Sequence, residues 1–99
     1  MYTLHIENTI DEFSAWKSTF DKFENARAER GVAAYRVTRS VLDPTQVYVD
    51  LEFAERGQAE EFVPFLEKIW RTPQSRSVSR AHTQPQIREL VQEAVVVAP

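Results

Sequence analysis

Apolar and polar residues alternate from Tyr2 to Glu7, with Tyr2, Leu4 and Ile6 on one side and Thr3, His5 and Glu7 on the other. A period of two predicts a strand. The period then changes. Ile10, Phe13, Trp16, Phe20 and Phe23 recur at steps of three and four, which makes one helical stripe. Thr9-Ile10-Asp11-Glu12 reads as a capping box at the start of that helix. Arg27 and Arg30 suit the negative end of its dipole, and Gly31 is a natural stop. The helix is therefore expected over residues 10–30.

Val32–Arg39 is strand-like, Asp43-Pro44 marks a turn, and Gln46–Phe53 alternates strongly, so the two strands form a hairpin. Gly57–Trp70 is a second helical stretch with Phe62, Phe65, Leu66, Ile69 and Trp70 apolar. Pro64 lies inside it and predicts a kink or break near Val63, since proline removes a hydrogen bond and clashes with the preceding turn. Thr72-Pro73 is an N-cap followed by proline at the first helical position, which predicts a short helix over 73–81. The remainder fits a helix or a strand by periodicity. The order β-α-β-β-α calls for a closing strand, placed at 86–92. The expected architecture is α+β: a ferredoxin-like βαββαβ domain covering residues 1–99, with a four-stranded antiparallel sheet in the order 4-1-3-2.

Composition narrows the function classes. The 99 residues carry 12 basic and 15 acidic side chains, a net charge of −3, and no basic stripe, which argues against nucleic acid as a partner. With no cysteine, disulfides, iron–sulfur ligation and thiol catalysis are excluded. Two glycines do not make a phosphate loop. The two histidines lie far apart, with no paired-carboxylate spacing, so neither a metal nor a cofactor is expected. Apolar runs fall short of a membrane span, and the N-terminus lacks the pattern of a signal peptide, so a cytoplasmic protein away from membranes is expected.

Asp11-Glu12-Phe13, Trp16, Phe20-Asp21, Gly31, Arg36-Val37, Asp43-Pro44, Val47-Tyr48-Val49, Phe53, Ala59, Phe62 and Thr72-Pro73 together resemble the dimeric α/β-barrel superfamily. Within it the chain is similar to antibiotic-biosynthesis-monooxygenase-like proteins, over nearly its whole length. The resemblance implies two protomers packed sheet against sheet, with pockets between sheet and helices or near the interface. It also implies a choice of activities: cofactor-independent oxygenation of an aromatic or polyketide-like substrate, or cyclase/isomerase chemistry by histidine. The chain departs from the monooxygenase pattern at Phe53-Ala54, where an aromatic pair is usual, and at Gln74, where histidine is frequent.

Strand parity supplies the candidate site. Leu4, Ile6, Val37, Val49, Leu51 and Ile87 share the face that suits the helices. His5, Glu7, Arg36, Thr38, Tyr48, Asp50, Glu52 and Arg88 share the other. That polar face is either an ion-pair network across a homodimer interface or the lining of a ligand site. On the enzymatic reading His5 is the general base, with Asp50 as its catalytic partner and Tyr48 orienting it or the substrate. Arg36, Trp70 and His82 complete the candidate binding residues for a small hydrophobic or aromatic ligand. His82 is expected at the end of the short helix or in the loop after it, at the surface. On the alternative reading the chain is a non-catalytic dimeric binding or accessory protein, and the same face is only interface.

Overall fold

A computed structural model describes residues 1–99. The elements are β1 (Tyr2–Ile10), α1 (Phe13–Asp21), α2 (Glu24–Glu29), β2 (Val32–Arg39), β3 (Gln46–Phe53), α3 (Arg56–Trp70), α4 (Pro73–Val78), β4 (Ser79–His82) and β5 (Gln86–Glu89). All strand pairs are antiparallel, in the order β2-β3-β1-β4, and β5 also pairs with β1. This is the expected 4-1-3-2 order with its fourth strand in two pieces. The fold is α+β and ferredoxin-like.

The split has a local cause. Along β4 the pairs are Asn8↔His82 and Thr9↔Ala81, and along β5 they are His5↔Gln86 and Leu4↔Ile87. Three steps on β1 face four on the edge, so one extra residue is accommodated between His82 and Gln86. Pro85 lies in this stretch, where it has no N–H to give to a ladder. The bulge changes parity, and with it the side of the sheet on which a residue points.

Several boundaries differ from the expectation, the first of them for reasons visible in the bonding. Thr9 and Ile10 extend β1, because Thr9 pairs with Gln46 and Ala81 and its hydroxyl accepts from the Gln46 amide at 2.9 Å. The first helix is capped instead by Glu12, whose carboxylate accepts from the Ser14 and Ala15 N–H groups at 3.0 and 2.8 Å. The expected 10–30 helix is two helices. At the joint Lys22 and Phe23 donate to the Thr19 and Phe20 carbonyls three residues back, tightening the chain. The short helix stops at Val78 rather than 81, and the last strand starts at Gln86 and ends at Glu89 rather than 92. Pro64 does not interrupt α3: it sits on the exposed side, where water can reach the Glu60 carbonyl that proline leaves unpaired. Gly31 has φ +95, a conformation that side chains with a Cβ rarely adopt, so the turn into β2 needs glycine.

Leu4, Ile6 and Ile10 of β1 and Val47, Val49, Leu51 and Phe53 of β3 are buried beneath Trp16 of α1 and Ala59 and Phe62 of α3. Burying each large side chain contributes about 1.5–3 kcal/mol, so this one-sided core holds the helices to the sheet. No helix is long and apolar enough to cross a membrane.

Candidate functional site

The predicted site residues fall on opposite faces of the sheet. His5, Asp50, Tyr48 and Arg36 lie on the face away from the helices. His5 pairs with Asp50 across β1 and β3, and Arg36 pairs with Asp50 across β2 and β3. The His5 Nδ1 is 2.6 Å from Asp50 Oδ1, and its Nε2 is 3.0 Å from Glu7 Oε2. The Tyr48 ring lies nearly parallel to the imidazole, 6.4 Å away. Two carboxylates on two ring nitrogens are both satisfied only when both nitrogens carry a proton. Burial works against that charge, but the bonds to Asp50 and Glu7 outweigh it and raise the His5 pKa above its ordinary value. Thr3 adds a bond to Glu52 at 2.9 Å. The centre of the face is thus satisfied within one chain, around an imidazole whose two carboxylate partners favour its protonated form.

Trp70 and His82 lie on the other side, against a cavity between sheet and helices. His82 is in β4, not in a loop, and it is half-buried rather than at the surface. Its partner across the ladder is Asn8, which has the parity of Leu4 and Ile6, and the bulge after His82 keeps it inward-facing. The imidazole stacks on the Trp70 indole at 3.9 Å and 7°.

A chain of bonds fixes its tautomer. The Asn8 amide nitrogen donates to the Val47 carbonyl at 3.3 Å, which turns its oxygen toward His82. That oxygen lies 2.7 Å from His82 Nδ1, so Nδ1 must donate, and Nε2 is left as a bare acceptor without a partner in the chain. Burial depresses the His82 pKa to about 4, so the ring is neutral at pH 7.

The cavity has a volume of about 70 Å³ and is walled largely by Trp16, Phe20, Phe23, Phe62, Leu66 and Ile69. An apolar cavity that takes up benzene measures about 150 Å³. A ring therefore enters only if the wall yields, and Phe20 and Phe23 keep part of their surface in solvent. Three buried polar wall residues escaped sequence reasoning, Asn8, Arg27 and Ser75, which are only 3, 5 and 6% exposed. The first two carried a signal. Asn8 is a polar residue at an apolar parity position of β1, and Arg27 continues the helical stripe four residues after Phe23. No group of three or more His, Cys, Asp or Glu side chains is arranged to hold a metal ion.

A split βαβ sheet with helices on one face and a cavity between the layers defines the class: a ferredoxin-like α+β protein. In sequence, no family model and no curated protein matches the chain. In structure it has the fold of the antibiotic biosynthesis monooxygenases. SnoaB, a cofactor-independent oxygenase from Streptomyces nogalater, superposes with a TM-score of 0.64 at 12% identity, covering 93% of this chain and 94% of SnoaB. A Deinococcus radiodurans protein assigned to the antibiotic biosynthesis monooxygenases covers all of both chains, with a TM-score of 0.64 at 13% identity. A dimeric ferredoxin-like protein from an uncultured marine organism gives 0.64 at 16% identity, over 94% of this chain and 97% of its own. At such identities the likeness is one of fold.

Proposed function

We propose that the chain is a cofactor-independent oxygenase of small aromatic or polyketide-like substrates, working as a homodimer with its reaction site in the cavity. The observation that carries this reading is His82: a neutral, half-buried imidazole whose tautomer leaves Nε2 free at an apolar wall. Nε2 takes a proton from an acidic O–H or C–H of the substrate, and the anion so formed is electron-rich enough to react with dioxygen. For an activated methylene the balance is one CH₂ and one O₂ giving one C=O and one H₂O. Trp70 stacks on the base and holds its plane, and the apolar walls keep water from the anion. SnoaB supports the reading by its fold and its description as a cofactor-independent oxygenase.

The site is thereby moved from His5 and Asp50 to His82. Both ring nitrogens of His5 are already engaged by carboxylates, which leaves it no lone pair for a substrate. The His5–Asp50–Glu7 cluster, with Tyr48 and Arg36, is assigned to the interface between two copies, packed sheet to sheet. The dimeric marine protein supports that assembly. Chain-internal pairing answers His5, Asp50 and Glu7, while Arg36 and Arg88 make no ion pair within the chain and are left for a partner's carboxylates.

The test is oxygen uptake with an anthrone or a hydroquinone under air. Wild type is expected to consume oxygen, and His82→Gln to do so about 10²–10⁴-fold more slowly, because glutamine bonds Asn8 but accepts no proton. Unchanged uptake by His82→Gln sinks the role of the base. The small cavity volume favours a second reading, a non-catalytic dimer in which the cavity is residual packing space. Absence of both uptake and ligand-induced quenching of tryptophan fluorescence would establish that reading instead.

A further inference from the structure

We propose that Arg27 makes the cavity selective for a ligand with an apolar body and an anionic oxygen group, a carboxylate in the first instance. The inference rests on the reading of the cavity as the binding site and adds the chemical class of what it binds.

Arg27 is buried to 5% exposure in α2 and lines the cavity wall beside Phe20 and Phe23. A guanidinium has five N–H donors and does not lose its charge in a protein. Only Nη2 is engaged, donating to the Phe20 carbonyl at 2.9 Å and to Glu24 at 3.1 Å. Nε is shut off from solvent with no partner, and Nη1 has no partner in the chain either. Buried donors left unpaired are rare and costly, and each asks for an explanation.

A purely structural role for Arg27, clasping the α1–α2 joint through the Phe20 carbonyl, needs one N–H and accounts for Nη2 alone. The counter-charge is also thin. The Glu24 side chain is 55% exposed, and the oxygen that meets Arg27 also accepts from the Tyr35 hydroxyl at 2.8 Å. The Phe20 ring lies 3.7 Å beneath the guanidinium, which eases the burial of a cation without using its donors. What remains is a positive, donor-rich group in an apolar wall. A carboxylate oxygen answers the charge and the unpaired Nη1, and charge-assisted bonds to arginine are the strong ones; Nε, enclosed by the wall, is reached only as the wall yields to the ligand. Neutral His82 offers no charge to compete for that carboxylate, which leaves the imidazole free to act on the rest of the ligand.

The experiment titrates the labelled protein by NMR with benzoate and with benzyl alcohol, which has the same ring without the charge. Benzoate is expected to bind about tenfold tighter or more and to move the amide resonances of Phe20, Phe23, Arg27 and Ser75. Arg27→Met, which keeps the length and apolar body of the side chain, abolishes the preference. Glu24→Gln removes the competing carboxylate at an exposed position and tightens benzoate binding alone, so the inference remains testable if Arg27→Met fails to fold. Equal affinities for the two ligands, a preference that survives Arg27→Met, or shifts confined to Val32–Tyr35 on the far side of Arg27 would overturn it. Equal binding of both within the cavity removes the anion preference and leaves the cavity as a site; binding of neither removes both.

Discussion

Two histidines in one small chain are driven in opposite directions by their surroundings. His82 has lost water and gained no charge partner, so its folded pKa falls to about 4. Between the ordinary value of 6.5 and about 4 the unfolded chain binds the extra proton and the folded chain does not. Stability from this group is present above 6.5 and is lost as pH falls through that window. His5 behaves oppositely: its folded pKa is raised, so its contribution is complete below 6.5 and is lost as pH rises through the folded value. NMR titration should show one imidazole titrating near 4 and one above 6.5. Urea midpoints of His82→Gln should decline less than wild type between pH 6.5 and 4.5. Two wild-type imidazoles that both titrate near 6.5 would contradict this picture.

Among the elements, the α1–α3 layer carries most of what closes the cavity. Trp16 contacts Phe13 and Phe20 at ring distances of 5.9 and 5.0 Å and forms part of the cavity wall. Trp16→Ala should lower stability by about 3–5 kcal/mol and, by enlarging the cavity, increase uptake of a small aromatic such as phenol. Denaturant unfolding and a phenol titration read the two effects separately; an unshifted midpoint would mean that the indole is not packed. Helix α3 holds a proline at an exposed interior position, so Pro64→Ala restores a donor to the Glu60 carbonyl. It should raise stability by roughly 1–3 kcal/mol, visible as a higher urea midpoint. The edge strand decides the site more than either helix, because its one-residue bulge turns His82 inward while keeping Ile87 opposite Leu4.

For the whole molecule, helices cover one face of the sheet and nothing in the chain covers the other. That outer face holds Glu7, Asp50 and Glu52 against Arg36 and Arg88, so it is balanced only when His5 carries its charge. Light scattering at micromolar concentration should therefore report a dimer that weakens as pH rises through the raised pKa of His5. His5→Gln should weaken the dimer at pH 6 and leave small-molecule binding in the cavity intact. A stable monomer at pH 6 would refute the sheet-to-sheet assembly.

The pattern of the chain by itself determined the fold class, the strand order and the face on which His5 and Asp50 meet. The elements and their faces follow from periods of two and 3.6, and the fold class and strand order from the β-α-β-β-α succession that the split βαβ topology completes. Parity set His5 on the face of Asp50 and Glu52 and away from Leu4 and Ile6, while the register that puts it opposite Asp50 belongs to the folded sheet. What only the tertiary structure decided is which of two histidines faces a cavity. His82 was unreadable because a single inserted residue between it and Gln86 reverses parity, and no local period records an insertion. Arg27 looked like a helix-end cation, since its neighbours in sequence are those of a solvated turn. Its burial comes from Phe20 of α1 and Tyr35 of β2, whose rings lie 3.7 and 5.2 Å from the guanidinium carbon. Local periodicity fixes which way a side chain points along its own element, while contacts between elements fix what it meets there.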